Sequence, residues 1–185
     1  KYNEKYLLTL NFRRDGTSRF SSDNQWGNFG GAALAWNIGD EDFLKDSKVV
    51  SSLKLRASVG LTGQQNLPGV NDLYLDRYRF GNANSRYLSL SFIIPSVVNP
   101  DLKWEETTTT EFGIDYGLFD NRFNGALSVF NKTSNDLLFN AALADGTNFG
   151  NTAIQNIGQL QINGIEFTLN GDILKSEDYN WNFTF

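Results

Sequence analysis

Glu111 and Asp115 are the carboxylates whose spacing first suggests acid–base work, because positions four apart on an extended chain share a face. At about 3.4 Å per residue they stand roughly 13–14 Å apart. That exceeds the roughly 5–9.5 Å separating glycosidase carboxylates, so no hydrolytic pair is expected there. Glu105 and Glu106 are adjacent and point oppositely when extended. The acidic run Asp40, Glu41 and Asp42 suits the cap of a short helix better than a cation site. Gly27, Gly30 and Gly31 have no helix after them to present amides to a phosphate; Gly30, Gly31, Ala32, Ala33 and Ala35 read instead as a place where another backbone approaches closely or the wall is thin. With no His and no Cys, imidazole triads, thiolate sites and most zinc sites are excluded. The chain is expected to be no enzyme and to hold no metal and no cofactor.

Binding chemistry gathers in one place. The stretch from Gly63 to Glu106 carries Tyr74, Arg77, Tyr78, Arg79, Phe80, Arg86 and Tyr87. Aromatic faces with guanidinium forks can stack on sugar rings, hold peptide carboxylates, or dock a lid protein. A connection of that length commonly binds something.

The elements that position these residues are strands. Tyr6, Leu8, Leu10 and Phe12 alternate with Lys5, Thr9, Asn11 and Arg13, and Leu53, Leu55, Ala57, Val59 and Leu61 alternate with Lys54, Arg56, Ser58, Gly60 and Thr62. Phe112, Ile114, Tyr116 and Leu118 repeat the pattern against Glu111, Gly113, Asp115 and Gly117. Further strands are predicted over Gly27–Ile38, Phe123 to about Phe139, about Leu160–Leu174, and from Tyr179 onward. That makes about seven antiparallel strands of an all-β fold, with one or two helical turns at most, over Asp40–Ser47. Asp15 and Gly16 are read as a tight turn.

The connections alternate in length. Asp120–Arg122 and Lys175–Asp178 are short and Gly39–Ser52 is moderate, whereas Arg14–Trp26, Gly63–Glu106 and Asn140–Gln159 are long. In a meander, alternate connections lie at opposite ends, so the long ones share one end, as in outer-membrane barrels. Strands of about 10–12 residues suit a tilted crossing of hydrocarbon. Aromatics cluster beside the shorter turns, as in an interfacial girdle. One face would then meet lipid; the other, with Lys54, Arg56, Ser58, Glu111, Asp115, Glu166, Thr168, Asn180, Asn182 and Thr184, would line a lumen. Seven strands with lipid on one face cannot close, so the chain reads as an arc of a larger barrel. The absence of Met and the strand-like last residues fit a piece of a longer polypeptide. A net charge of -5 and a pI near 4.7 argue against nucleic acid as partner.

Specific strings add a resemblance. YLLTLNFRRDGTSRF (Tyr6–Phe20), LKLRASVGLTGQQ (Leu53–Gln65), NPDLKWEETTTTEFGIDYGLFDNRF (Asn99–Phe123) and QNIGQLQINGIEFTLNG (Gln155–Gly171) resemble, in order, segments of the SusC/RagA family of TonB-dependent outer-membrane transporters of Bacteroidetes. The resemblance implies that residues 1–185 are a partial barrel domain from the C-terminal part of a 22-stranded barrel, with the plug and N-terminal parts outside this sequence. It further implies import of a bulky nutrient, glycan or peptide, across the outer membrane. The partners it implies are a SusD-like surface lipoprotein, the lipid bilayer, and TonB through segments not in this chain. The competing expectation is a soluble β-sandwich module that binds carbohydrate on a cell-surface protein.

Overall fold

The computed structural model describes residues 2–66, 72–80, 86–87, 90–91, 93–146, 150–175 and 179–185. The strands, in chain order, are β1 (Tyr6–Gly16), β2 (Trp26–Asn37), β3 (Val50–Gln64), β4 (Tyr78–Phe80), β5 (Arg86–Tyr87), β6 (Leu90–Ser91) and β7 (Ile93–Pro95). They continue with β8 (Glu105–Leu118), β9 (Phe123–Asn135), β10 (Leu138–Ala142), β11 (Thr152–Asn156), β12 (Gln159–Lys175) and β13 (Asn180–Thr184). Seven of them form one antiparallel meander in the order β1-β2-β3-β8-β9-β12-β13. Small two-stranded sheets, β10-β11, β4-β7 and β5-β6, elaborate the long connections. These are the seven strands that alternation predicts.

Register sorts the side chains. Tyr6 lies opposite Trp36, Trp36 opposite Leu55, Leu55 opposite Ile114, Ile114 opposite Leu127 and Leu127 opposite Phe167, a transverse row that is apolar from β1 to β12. Directly opposed residues share a face, so the neighbouring rows are polar and face the other way. The apolar face stays uncovered: Leu10 is 70%, Phe12 76% and Ile165 74% exposed. No second sheet packs on it among the described residues.

The apolar band is not parallel to the transverse rows. On β1 it reaches Phe12, yet the row holding Leu10 continues through Ala32 and Val59 into Thr110, Asn131 and Asn163. The upper edge therefore drops about four residues over five strand steps. With roughly 3.4 Å per residue and 4.8 Å per step, the strands are tilted by about 30° from the normal to the band. That is near the tilt of about 35–45° that closes transmembrane barrels.

Three expectations are corrected. Asp15 and Gly16 do not turn; they pair with Gly27 and Trp26, because the β1-β2 ladder runs past the apolar band. The strand expected over Phe123 to about Phe139 ends at Asn135, and Leu138–Ala142 pairs instead with Thr152–Asn156. The helical turn begins earlier than Asp40: a 3-10 turn spans Ile38–Asp40, and the Glu41 carbonyl then accepts from the Leu44 and Lys45 amides. The turn at Asp120 is tight as expected, with Phe119, Asp120 and Asn121 all at positive φ. Residues 176–178 of the other short turn lie outside the described residues.

Candidate functional site

The polar face of β3 and β8 is built around Arg56. Register places Arg56 opposite Gly113, between Glu111 and Asp115 on the neighbouring strand. Its Nη1 donates to Glu111 Oε1, and its Nε donates to Asp115 Oδ1 at 3.1 Å. Lys54 Nζ reaches Asp115 Oδ2 at 4.0 Å. The side chains of Arg56, Glu111 and Asp115 are each about one-third exposed. Gly113 makes this possible: a Cβ there would lie 2.7 Å from the guanidinium carbon, so only glycine lets the fork lie across the strand. The two carboxylates that are too far apart to act on one glycosidic bond are bridged by one cation.

Glu166 shares the transverse row of Arg56 but not its cluster. The row runs Arg56, Gly113, Ser128, Glu166, with buried Ser128 between. Three strand steps of roughly 4.8 Å keep the two charges about 14 Å apart along the sheet. Ala33, Ala35, Leu7 and Thr9 complete a cavity of about 320 Å³ beside Arg56 and Glu111 on this polar face. The small residues of β2 thus leave a notch in the wall.

At the opposite end from the short turns, the β2-β3 ladder stops at Gly30 and Leu61, while the β1-β2 ladder runs on to Gly16 and Trp26 and the β3-β8 ladder to Gln64 and Glu105. Between these extensions sits the buried apolar cluster of Phe20, Phe29, Leu102 and Trp104, with Leu61, Leu73, Leu138 and Ile154 against it. Leu102 is 0% and Trp104 6% exposed. The Phe29 ring occupies the space in which a Cβ on Gly27 or Gly63 would fall, at 2.3 and 2.0 Å. Around it, polar groups join all three long connections. Asn99 Nδ2 donates to the Ile154 carbonyl at 2.8 Å, and the Lys103 amide donates to Asn156 Oδ1 at 3.0 Å. Asn156 Nδ2 returns to the Lys103 carbonyl at 2.9 Å, Arg19 Nη1 reaches the Gln65 carbonyl at 3.0 Å, and Ser21 Oγ the Pro100 carbonyl at 3.0 Å.

The binding candidates of the longest connection are dispersed. Tyr74 is half-buried in the turn that Asp72 begins, and Arg77 is ion-paired to Asp72. Tyr78 and Phe80 flank Arg79 on β4 and are exposed. Arg79 pairs through its backbone with Ile94, Arg86 with Ser91 and Tyr87 with Leu90; the side chains of these three lie outside the described set. The structure brings together Lys54, Arg56, Glu111 and Asp115, and among the described side chains joins neither Glu166 nor Tyr74, Arg77 and Tyr78 to them.

Two further assemblies escape a reading by residue type. One is the Asn99, Trp104 and Asn156 clamp, for which the strings NPDLKW and QNIG were the available signal. The other is at the short-turn end, where Glu41 accepts from Trp36 Nε1 at 3.0 Å, Tyr6 OH at 2.9 Å and Lys5 Nζ at 3.0 Å. Tyr6 and Trp36 are stacked with centroids 6.2 Å apart. These donors, the Trp36 indole first, hold the Glu41 carboxylate below the usual carboxylate range.

Residues 1–185 match the family described as TonB dependent receptor-like, beta-barrel. The chain is 40% identical to the TonB-dependent receptor SusC of Bacteroides thetaiotaomicron, over 98% of this chain and 18% of that protein. It is 36% identical to a TonB-dependent receptor of Formosa agariphila, over 100% of this chain and 17% of that protein. The chain thus spans less than one-fifth of the length of these relatives. Among solved structures it superposes on the RagAB peptide importer in its open-open state with a TM-score of 0.86 and 25% identity, covering 100% of this chain and 20% of that one. The siderophore receptor PirA of Pseudomonas aeruginosa shares the fold, with a TM-score of 0.59, 16% identity, and coverage of 100% of this chain and 31% of that one.

Proposed function

We propose a function from one premise: the chain belongs to the TonB-dependent receptor β-barrel family, in its SusC/RagA-like branch. In this reading residues 1–185 are a partial barrel domain, and the parent protein sits in the outer membrane and imports a bulky nutrient without making or breaking its bonds. The observation that carries it is the uncovered apolar face of a tilted antiparallel meander, which water would not tolerate and acyl chains would. The polar face, with Lys54, Arg56, Glu111, Asp115 and Glu166, lines the lumen. The likeness to RagAB supports peptide as cargo; glycan is the other class of bulky solute such a barrel would pass.

The partners follow from the same premise. A SusD-like lipoprotein closes the long-connection end, where Tyr74, Arg77, Tyr78, Arg79, Arg86 and Tyr87 contact the lid or the cargo. TonB engages parts of the parent outside this chain, and the plug domain is likewise supplied by the parent. The test places nitroxides at Leu55, Val59 and Ile114, and at Ser58, in the parent receptor in bilayers. The first three should be quenched by oxygen and shielded from polar quenchers, and Ser58 the reverse. Polar access at all four would overturn the reading.

A further inference from the structure

We propose that the apolar face carries a seat for one phospholipid with an ammonium-bearing, zwitterionic headgroup, its acyl chain lying over Ala57 and its headgroup held at Lys5 and Glu41. The seat begins as a groove of about 770 Å³, within the roughly 300–1,000 Å³ of small-molecule sites. Its cause is a size mismatch within one transverse row: Ala57 lies between Leu34 and Phe112, so the wall dips at β3. Trp36, Leu55 and Ile114, the next row on the same face, continue the lining toward the short turns, and the Tyr2 and Tyr6 rings close that end.

The closed end is also where charge appears. Lys5 Nζ and Glu41 Oε2 stand 3.0 Å apart, and the exposed Tyr2 ring lies 6.4 Å from that of Tyr6, whose hydroxyl donates to Glu41 Oε1. An anionic headgroup would meet Glu41 and the neighbouring Asp40 and Asp42, and carboxylates outnumber lysines in this connection. An ammonium-bearing headgroup instead places its cation on the Glu41 carboxylate and the Tyr2 face, and its phosphate on Lys5. The short-turn end of such a barrel faces the periplasm, so the occupant is an inner-leaflet phosphatidylethanolamine. The proposal rests on the outer-membrane placement above.

The test uses the full-length parent receptor, extracted in mild detergent with an equimolar mixture of phosphatidylethanolamine and phosphatidylglycerol and weighed by native mass spectrometry. Retention of one phosphatidylethanolamine at about tenfold over phosphatidylglycerol is expected. Ala57→Phe, which fills the groove, and Glu41→Gln, which removes the headgroup charge, should each return the ratio to that of the mixture. Glu41 lies at the rim, so Glu41→Gln decides the matter should Ala57→Phe not assemble. Equal retention of the two lipids, preference for phosphatidylglycerol, or a ratio unmoved by Glu41→Gln would overturn the seat alone. A parent that does not insert into bilayers overturns the importer reading with it.

Discussion

Arg56 holds two carboxylates that would otherwise repel across the polar face, and this defines what its loss does. Arg56→Leu should cost about 1 kcal/mol in urea unfolding of the parent barrel, since the groups are partly hydrated and exposed pairs contribute little. Gly113→Ala should displace the flexible end of the same guanidinium. The double variant should then be little worse than Arg56→Leu alone, and full additivity would show that the glycine serves something else. At the rim, Glu41 gives a pH prediction. Its folded pKa lies below its unfolded one, so its contribution is complete above the ordinary carboxylate pKa and is lost as pH falls through the lowered value. Trp36 emission should change only below the usual carboxylate range, and Glu41→Gln should abolish that change. Sequence placed Lys54, Arg56, Glu111 and Asp115 on one face, because a period of two does that unaided. It could not say that Arg56 stands opposite Gly113, because register is a relation between strands.

The strands themselves were legible because within the apolar band every second residue is apolar, a period of two that no helix keeps. Their ends were not, because beyond the apolar band the ladder continues with polar residues and the alternation loses its contrast. Asp15, Gly16 and the β10-β11 pair fell in that region. The Asn99–Trp104 segment was legible only as a string, since its partners are more than fifty residues away in sequence, at Ile154 and Asn156. Its role predicts a local defect. Trp104→Ala should remove roughly 3–5 kcal/mol of packing, felt by residues 17–25, 72–76, 136–146 and 150–157. Amide exchange there should accelerate while β8 and β9 stay protected; uniform acceleration would tie the cluster to the whole wall.

For the molecule as a whole, the slant of the apolar band makes a prediction that neither sequence nor a single strand contains. Leu10 and Thr110 lie in one transverse row and on one face. If the row lay in the membrane plane, a lysine at either place would cost the same. Because the strands are tilted, Leu10→Lys should cost roughly 2–4 kcal/mol and Thr110→Lys roughly 0–1, read as the urea midpoint of bilayer refolding. Equal costs would remove the tilt and with it the barrel geometry.

The Phe20, Phe29, Leu102 and Trp104 cluster has a wider consequence. Since the three outer connections are fastened mainly to one another, a crown sits on the palisade with its own keystone. Side chains displayed on that crown can then drift, lengthen or be exchanged without retuning the staves below.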